Sequence, residues 1–290
     1  MKPLISITLL VRDSGPILDE LLKRLATQDI EWSYELVVLY FGKSEETLRR
    51  LKQHTSKITQ IHPNEFYYDS SRDLVCSLAS GEYIVTISVD ALPINSDWLK
   101  ELILPMVSGK ADVVQGELKC PKHDDPNYPN FFYWENNYWQ YYSSEGKDFI
   151  KKYGNLGLSC VNLAFRKKVW EKTRFKGAHY CEDKIFQKRV FKAGYISIYN
   201  KNAAMLHAHS YTSIKKLFQR TANEGLGWKN VGENYGMRLL LKDVFRIDMH
   251  LLAVNAFLKK KLKYNSEIWF FFIRPIALYW GNKFLKTAYK

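Results

Sequence analysis

Residues 4–118 alternate between short, β-branched apolar runs and stretches whose apolar residues recur every three or four positions, an order that few folds accept. The strand-like runs fall at 4–11, 36–40, 58–62, 83–88 and 112–118. Between them, Ile17, Leu18, Leu21, Leu22 and Leu25 keep helical spacing, and Ser44-Glu45-Glu46 opens a second helix through about residue 54. Residues 71–79 read as a third helix stopped by Gly81, and 97–106 as a fourth. Strand–helix–strand repeats imply right-handed crossovers and a mostly parallel sheet flanked by helices. The run at 4–11 carries no charge and no polar group larger than the hydroxyls of Ser6 and Thr8, as expected of a strand buried on both faces.

The stretch at 81–93, GEYIVTISVDALP, delivers a carboxylate to the end of one such strand. Its apolar run leads into Ser88-Val89-Asp90, and Pro93 is expected to break it. In open α/β sheets, ligands bind beyond the carboxyl ends of the strands. Asp90 is therefore either a ligand-facing carboxylate or an ordinary turn residue. Glu182-Asp183, ahead of a helix expected over 184–193, is either a general base or a pair of acids favoured by the helix dipole. His207 and His209 share one face of a strand expected over 203–209, as ligands or as surface or core residues. Taken together, these groups suit transfer from a diphosphate donor. Carboxylate and imidazole fit Mn²⁺ or Mg²⁺, and a separate carboxylate can deprotonate an attacking hydroxyl.

Beyond residue 118 the pattern changes. Residues 123–130 are polar and proline-rich, and 130–142 are dense in aromatics. Trp134, Tyr138, Trp139 and Tyr142 keep helical spacing there, as core or as an aromatic wall for a sugar acceptor. Further strands are expected over 161–165 and 195–199, and mainly helices from 213 onward. The net charge of +13 points to an anionic partner, and it is uneven. Residues 251–290 hold eight Lys or Arg against one acid, Glu267, a local net of +7. With Trp269, Phe270, Phe271, Phe272 and Trp280 interleaved, this tail is either a solvated helix face or an interfacial attachment to anionic lipid. No nucleic-acid-binding pattern is present, and no run of about 18 apolar residues occurs. Cys76, Cys120, Cys160 and Cys181 are widely spaced without a C-x-x-C pair, the pattern of reduced thiols in a cytosolic protein. The opening MKPLISITLLVRDSG lacks a small-residue cleavage site and runs into a helix, so it reads as a first strand rather than a signal peptide.

Five blocks, in order, carry a resemblance: ISITLLVRDSGPILDELLKRLATQ, SSRDLVCSLASGEYIVTISVDALPINSDWL, NLAFRKKVWEKTRF, CEDKIFQKRVFKAGYISIYNKNAAMLHAHSYT and LFQRTANEG. Over roughly residues 4–227 the chain resembles a family 2 glycosyltransferase of the GT-A fold, in the branch of bacterial rhamnosyltransferase-like enzymes. The resemblance implies an α/β, Rossmann-like fold with a mostly parallel central sheet and a mainly helical C-terminal extension. It implies a GT-A domain over 1–212, with a nucleotide-sugar-binding half at 1–118 and an acceptor-binding and catalytic half at 119–212. Residues 213–290 would form the basic, membrane-associating extension.

The implied reaction is an inverting transfer from a nucleotide-diphosphate sugar to a glycan or lipid-linked acceptor. It would serve surface polysaccharide or glycoconjugate synthesis at the cytoplasmic face of the membrane, with no nucleic acid as partner. Asp90 corresponds to the last acid of the family's D-x-D element, which holds the donor diphosphate through Mn²⁺ or Mg²⁺. Asp183 corresponds to the base, with Glu182 beside it, and His207 to a late metal-binding histidine, with His209 as second choice. Val11, Arg12 and Asp13 occupy the loop that meets the nucleotide, Arg72-Asp73 an element near the donor, and Asn162 a position assigned with Trp134, Tyr138 and Trp139 to the acceptor. Two departures stand out: Ser88 replaces the first acid of D-x-D, and Tyr40 replaces an acid that bonds the base, where its ring is expected to stack instead. Two rivals are a non-catalytic basic protein that binds membrane or nucleic acid, and a GT-A protein that has lost activity.

Overall fold

The structure, a computed structural model, describes residues 4–122, 124–134 and 157–289. Its parallel half follows the alternation of the sequence. Strands β1 (Ile5–Val11), β2 (Tyr34–Tyr40), β3 (Ile58–Gln60) and β4 (Tyr83–Ile87) alternate with helices α1 (Pro16–Ala26), α2 (Glu45–Lys52) and α3 (Tyr68–Leu78). β1 lies between β2 and β4, with Ile7 opposite both Leu36 and Val85, and β3 flanks β2. Nearly all of β1 and all of β4 is buried, which explains why neither strand carries a charge and why their polar residues, Ser6, Thr8 and Thr86, are small hydroxyls.

The rest of the sheet is mixed. After β5 (Ala91–Pro93), α4 (Trp98–Val107) leads to β6 (Val113–Lys119), and β7 (Asn162–Arg166) enters antiparallel between β4 and β6. Then α5 (Lys167–Thr173) and α6 (Glu182–Lys192) precede β8 (Ser197–His207), parallel to β6. The full order is β3-β2-β1-β4-β7-β6-β8-β5. Two expected strands, 195–199 and 203–209, are thus one, with a register shift opposite Gly116 and Glu117. The polar Asn200-Lys201-Asn202 at that irregularity interrupts the apolar pattern and makes one strand read as two. Nor does Pro93 break the sheet, because it ends the edge strand β5, where a missing N–H disturbs least.

At the amino-terminal edge, Glu35 ties three strands together. Its carboxylate accepts from the Ser6 hydroxyl, from the N–H and hydroxyl of Ser80, and from the Lys57 ammonium. Burial alone would raise its pKa, but Lys57, Ser6 and Ser80 outweigh burial and bring it down to about 2.

The described residues fall into two compact units. The first lies within Met1–Pro121, Trp139–Lys176 and Asp183–His207 and holds the sheet; the second lies within Lys122–Tyr138, Gly177–Glu182 and Ala208–Lys290. The second unit therefore gathers two stretches from earlier in the chain than residue 213. It contains α7 (Ile214–Asn230), α8 (Met237–Val244), α9 (Ile247–Leu258), α10 (Asn265–Ile268) and α11 (Phe270–Lys283). α7 and α11 approach so closely that a Cβ on Gly281 would lie 1.9 Å from the Ala222 carbonyl oxygen. Glu267, the lone acid of the basic tail, is buried and accepts from the backbone N–H groups of Tyr133, Lys263 and Tyr264. Among the described residues, no helix is long and apolar enough to cross a membrane.

Candidate functional site

The carboxyl edge of the parallel strands collects the segments that follow them. The antiparallel pairing of β5 with β8 sets Ala91 opposite His207, so Asp90 arrives beside a residue 117 positions later. His207 Nδ1 lies 3.4 Å from Asp90 Oδ1 and 3.3 Å from the Asp90 carbonyl oxygen. The His207 ring is buried, whereas the Asp90 side chain remains 43% exposed. Ser88 is half-buried, and its carbonyl accepts from the Ala91 N–H, closing the turn that presents Asp90.

The base of this edge differs from the expectation at Tyr40. Its ring is buried, and its hydroxyl lies 2.8 Å from both Asp13 Oδ1 and the Ser44 carbonyl, so it cannot stack on a ligand. Asp13 also accepts from the N–H groups of Lys43 and Ser44, each at 2.8 Å, and so clasps the loop between β2 and α2. Burial works against the Asp13 charge, but the Ser44 N–H, the Tyr40 hydroxyl and the Lys43 N–H prevail and hold its pKa below the usual carboxylate value. The same partnership, on top of burial, pushes the Tyr40 phenol up to about 12. A Cβ on Gly42 would fall 2.2 Å from Asp13 Oδ1, so the clasp requires glycine there. An aromatic surface does exist one residue on. Phe41 and Phe66 stack with centroids 3.8 Å apart and planes 10° from parallel, and both are half-buried. Sequence reasoning missed this pair, because Phe66 reaches Phe41 only through the pairing of β3 with β2.

Asp183 is held at the same edge through its helix. Because β7 is antiparallel, the loop before it lies at the carboxyl end of β4, with Asn162 opposite Ile87. α6 grips that loop: Gln187 accepts from the Leu158 N–H at 2.8 Å, and the Lys184 ammonium donates to the Leu158 carbonyl. Ser159 is fixed in turn by Gln115 of β6. Asp183, in the first turn of α6, is partly exposed, with Lys184 Nζ 3.7 Å from its carboxylate. Glu182, one residue earlier, is buried and falls to the second unit.

Several expected site residues serve the fold. Asn162 is fully buried; its amide donates to the carbonyls of Glu117 and Ala203 and accepts from Trp98 Nε1, leaving it nothing for an acceptor. Trp134 packs with Phe132, Leu217 and Phe270 and donates Nε1–H to the Glu267 carbonyl, so it is core rather than an open wall. Tyr138, Trp139 and Tyr142 lie outside the described residues. Val11 is buried, and its carbonyl accepts from the Phe41 N–H, while Arg12 is exposed beside it. Arg72 is buried on α3, and Asp73 fastens 170–176 by accepting from Trp170 Nε1 and the N–H groups of Phe175 and Lys176. His209 belongs to the second unit, stacked on Tyr211.

Among the described residues, no cluster of three or more His, Cys, Asp or Glu forms a metal cage. The donor set nevertheless fits an ion shared with a substrate. A carboxylate and an imidazole side by side are ligand types that Mn²⁺ and Mg²⁺ accept, and Mg²⁺-type sites take one or two protein ligands plus substrate phosphates.

A family model for glycosyl transferase family 2 matches residues 6–174, more than half of the chain. No curated protein matches in sequence. Among solved structures, the mannosyltransferase PcManGT from Pyrobaculum calidifontis, in complex with GDP-Man and Mn²⁺, is similar at a TM-score of 0.60 and 13% identity, over 99% of this chain and 89% of that one. Glucosyl-3-phosphoglycerate synthase from Mycobacterium tuberculosis, in complex with Mn²⁺, UDP-Glc and phosphoglyceric acid, gives 0.53 and 13% over 80% and 81%. S. aureus TarS gives 0.52 and 16% over 83% of this chain, which spans only 41% of that one. At such identities these structures show the fold. By its sequence match, the chain belongs to glycosyl transferase family 2, a transferase on the GT-A fold.

Proposed function

We propose that the chain transfers a sugar, with inversion, from a nucleotide-diphosphate sugar to a hydroxyl of a glycan or lipid-linked saccharide, in the making of a surface polysaccharide or glycoconjugate. The observation that carries this reading is the meeting of Asp90 and His207 at the sheet edge to which the helix of Asp183 is pinned. It is supported by similar structures bound to UDP-GlcNAc, UDP-Glc or GDP-Man. Asp183 takes the proton of the acceptor hydroxyl as its oxygen attacks the anomeric carbon. The bond from that carbon to the diphosphate oxygen breaks, and the diphosphate leaves with the electron pair. Asp90 and His207 would hold a divalent ion, which when bound neutralises charge growing on the leaving diphosphate. Phe41 and Phe66 offer the nucleotide base a stacking surface in place of a carboxylate.

Thermal shift against UDP-, GDP-, dTDP- and CMP-sugars, with Mn²⁺ or Mg²⁺ and with EDTA, tests the donor and the metal together. A donor at a hundredfold excess over its Kd stabilises by about 2.7 kcal/mol, so one nucleotide should stand out and its shift should collapse in EDTA. If no nucleotide sugar stabilises the protein, the donor reading fails. If the shift persists unchanged in EDTA, the assignment of a metal to Asp90 and His207 fails.

A further inference from the structure

The second unit turns a large apolar surface to solvent. On α9, Ile247, Leu251, Val254 and Leu258 are 71%, 63%, 54% and 73% exposed. Their spacing of four, three and four residues places them on one face, opposite the buried Ala253 and Ala256. α11 repeats the pattern: Trp269 at its cap, then Phe272, Ile276 and Trp280, are exposed at spacings of three, four and four, and Phe284 follows. The helices touch where His250 meets Phe272 at 4.3 Å, so the two stripes border each other. Directly after α9 come Lys259, Lys260, Lys261 and Lys263, all exposed. Phe257 at the end of the same helix is exposed too. A water-soluble surface seldom leaves this much contiguous apolar area uncovered.

We infer that α9 and α11 form a docking face for an anionic lipid surface. Rings and aliphatic chains would enter the headgroup boundary, with the lysines facing lipid phosphates. The charge run decides among occupants. A second copy could bury the apolar stripes, but those stripes carry no acid to meet the lysine run. A nucleic acid would use the lysines and leave the apolar stripes in water. An anionic bilayer takes both. The sequence alone pointed to the tail in general; the structure moves the emphasis to α9, and buries Phe270 in the core.

The test is co-sedimentation of the full chain with phosphatidylcholine vesicles, with and without phosphatidylglycerol, in the absence of donor and acceptor. It is therefore separable from the proposed sugar transfer. Binding should require phosphatidylglycerol and weaken with salt. The triple variant Leu251→Gln, Val254→Gln, Leu258→Gln should lose about tenfold or more in partitioning, since it removes apolar area that would enter the bilayer. Lys259→Gln, Lys260→Gln, Lys261→Gln should lose roughly fivefold per lysine on anionic vesicles. All six positions are exposed, and circular dichroism with size-exclusion chromatography checks fold and oligomeric state. The inference is overturned if the apolar variant binds vesicles like the parent. It is equally overturned if that variant dissociates an oligomer without changing vesicle binding, or if the lysines bind an oligonucleotide and vesicles are ignored.

Discussion

Asp90 and His207 show how little a single residue reveals before its partner is known. Either alone has an ordinary reading, as a turn acid or a core histidine. Placed 3.4 Å apart at the sheet's carboxyl edge, they become the pair to which the proposed function gives a metal. Tyr40 shows the reverse. From the sequence its ring is expected to stack on a base, but its hydroxyl closes on Asp13 and its ring is core. In the proposed function the stacking surface passes to Phe41, which predicts a separation of kinetic effects. Stacking on a base is worth about 1–3 kcal/mol, so Phe41→Ala should raise the donor KM by roughly tenfold while kcat holds. Steady-state kinetics with the donor varied provides the check, and an unchanged KM removes Phe41 from the base site.

At the scale of elements, Glu35 makes the clearest prediction. Its folded pKa of about 2 lies below the ordinary 4.5, so its contribution to stability is complete above pH 4.5 and is lost as the pH falls toward 2. That contribution is on the order of 2–3 kcal/mol, given a carboxylate only 10% exposed. Glu35→Gln should therefore be less stable than the parent at pH 7, and its denaturation midpoint should change less between pH 4.5 and 2. Equal pH dependence in the two proteins would show that Glu35 does not tie β1, β2 and β4 as described. The parallel half of the sheet was legible because β1 and β4 are buried on both faces and read as β-branched runs without a charge. What was not legible depends on distant partners. β5 is three residues long and exists through β8, and the irregularity at Asn200-Lys201-Asn202 hides the continuity of β8. Asn162 and Trp134 looked like site residues because they are polar or aromatic. Their roles follow from partners 41 and 133 residues away, which no local pattern shows.

For the whole molecule, the fold brings the late segment around Asp183 and His207 back to the edge built by the first half of the chain. For the proposed single displacement, that edge would supply a place for the diphosphate, a base for the acceptor and a surface for the nucleotide. The most direct test is turnover by Asp183→Asn, measured as nucleotide diphosphate released per enzyme with saturating donor, alongside donor binding by thermal shift. A positioned base contributes about 10²–10⁴-fold, so kcat should fall by that factor while the donor-induced shift is retained. Near-parental turnover in a variant that still binds donor would contradict the assignment of the base and, with it, the proposed chemistry of this edge.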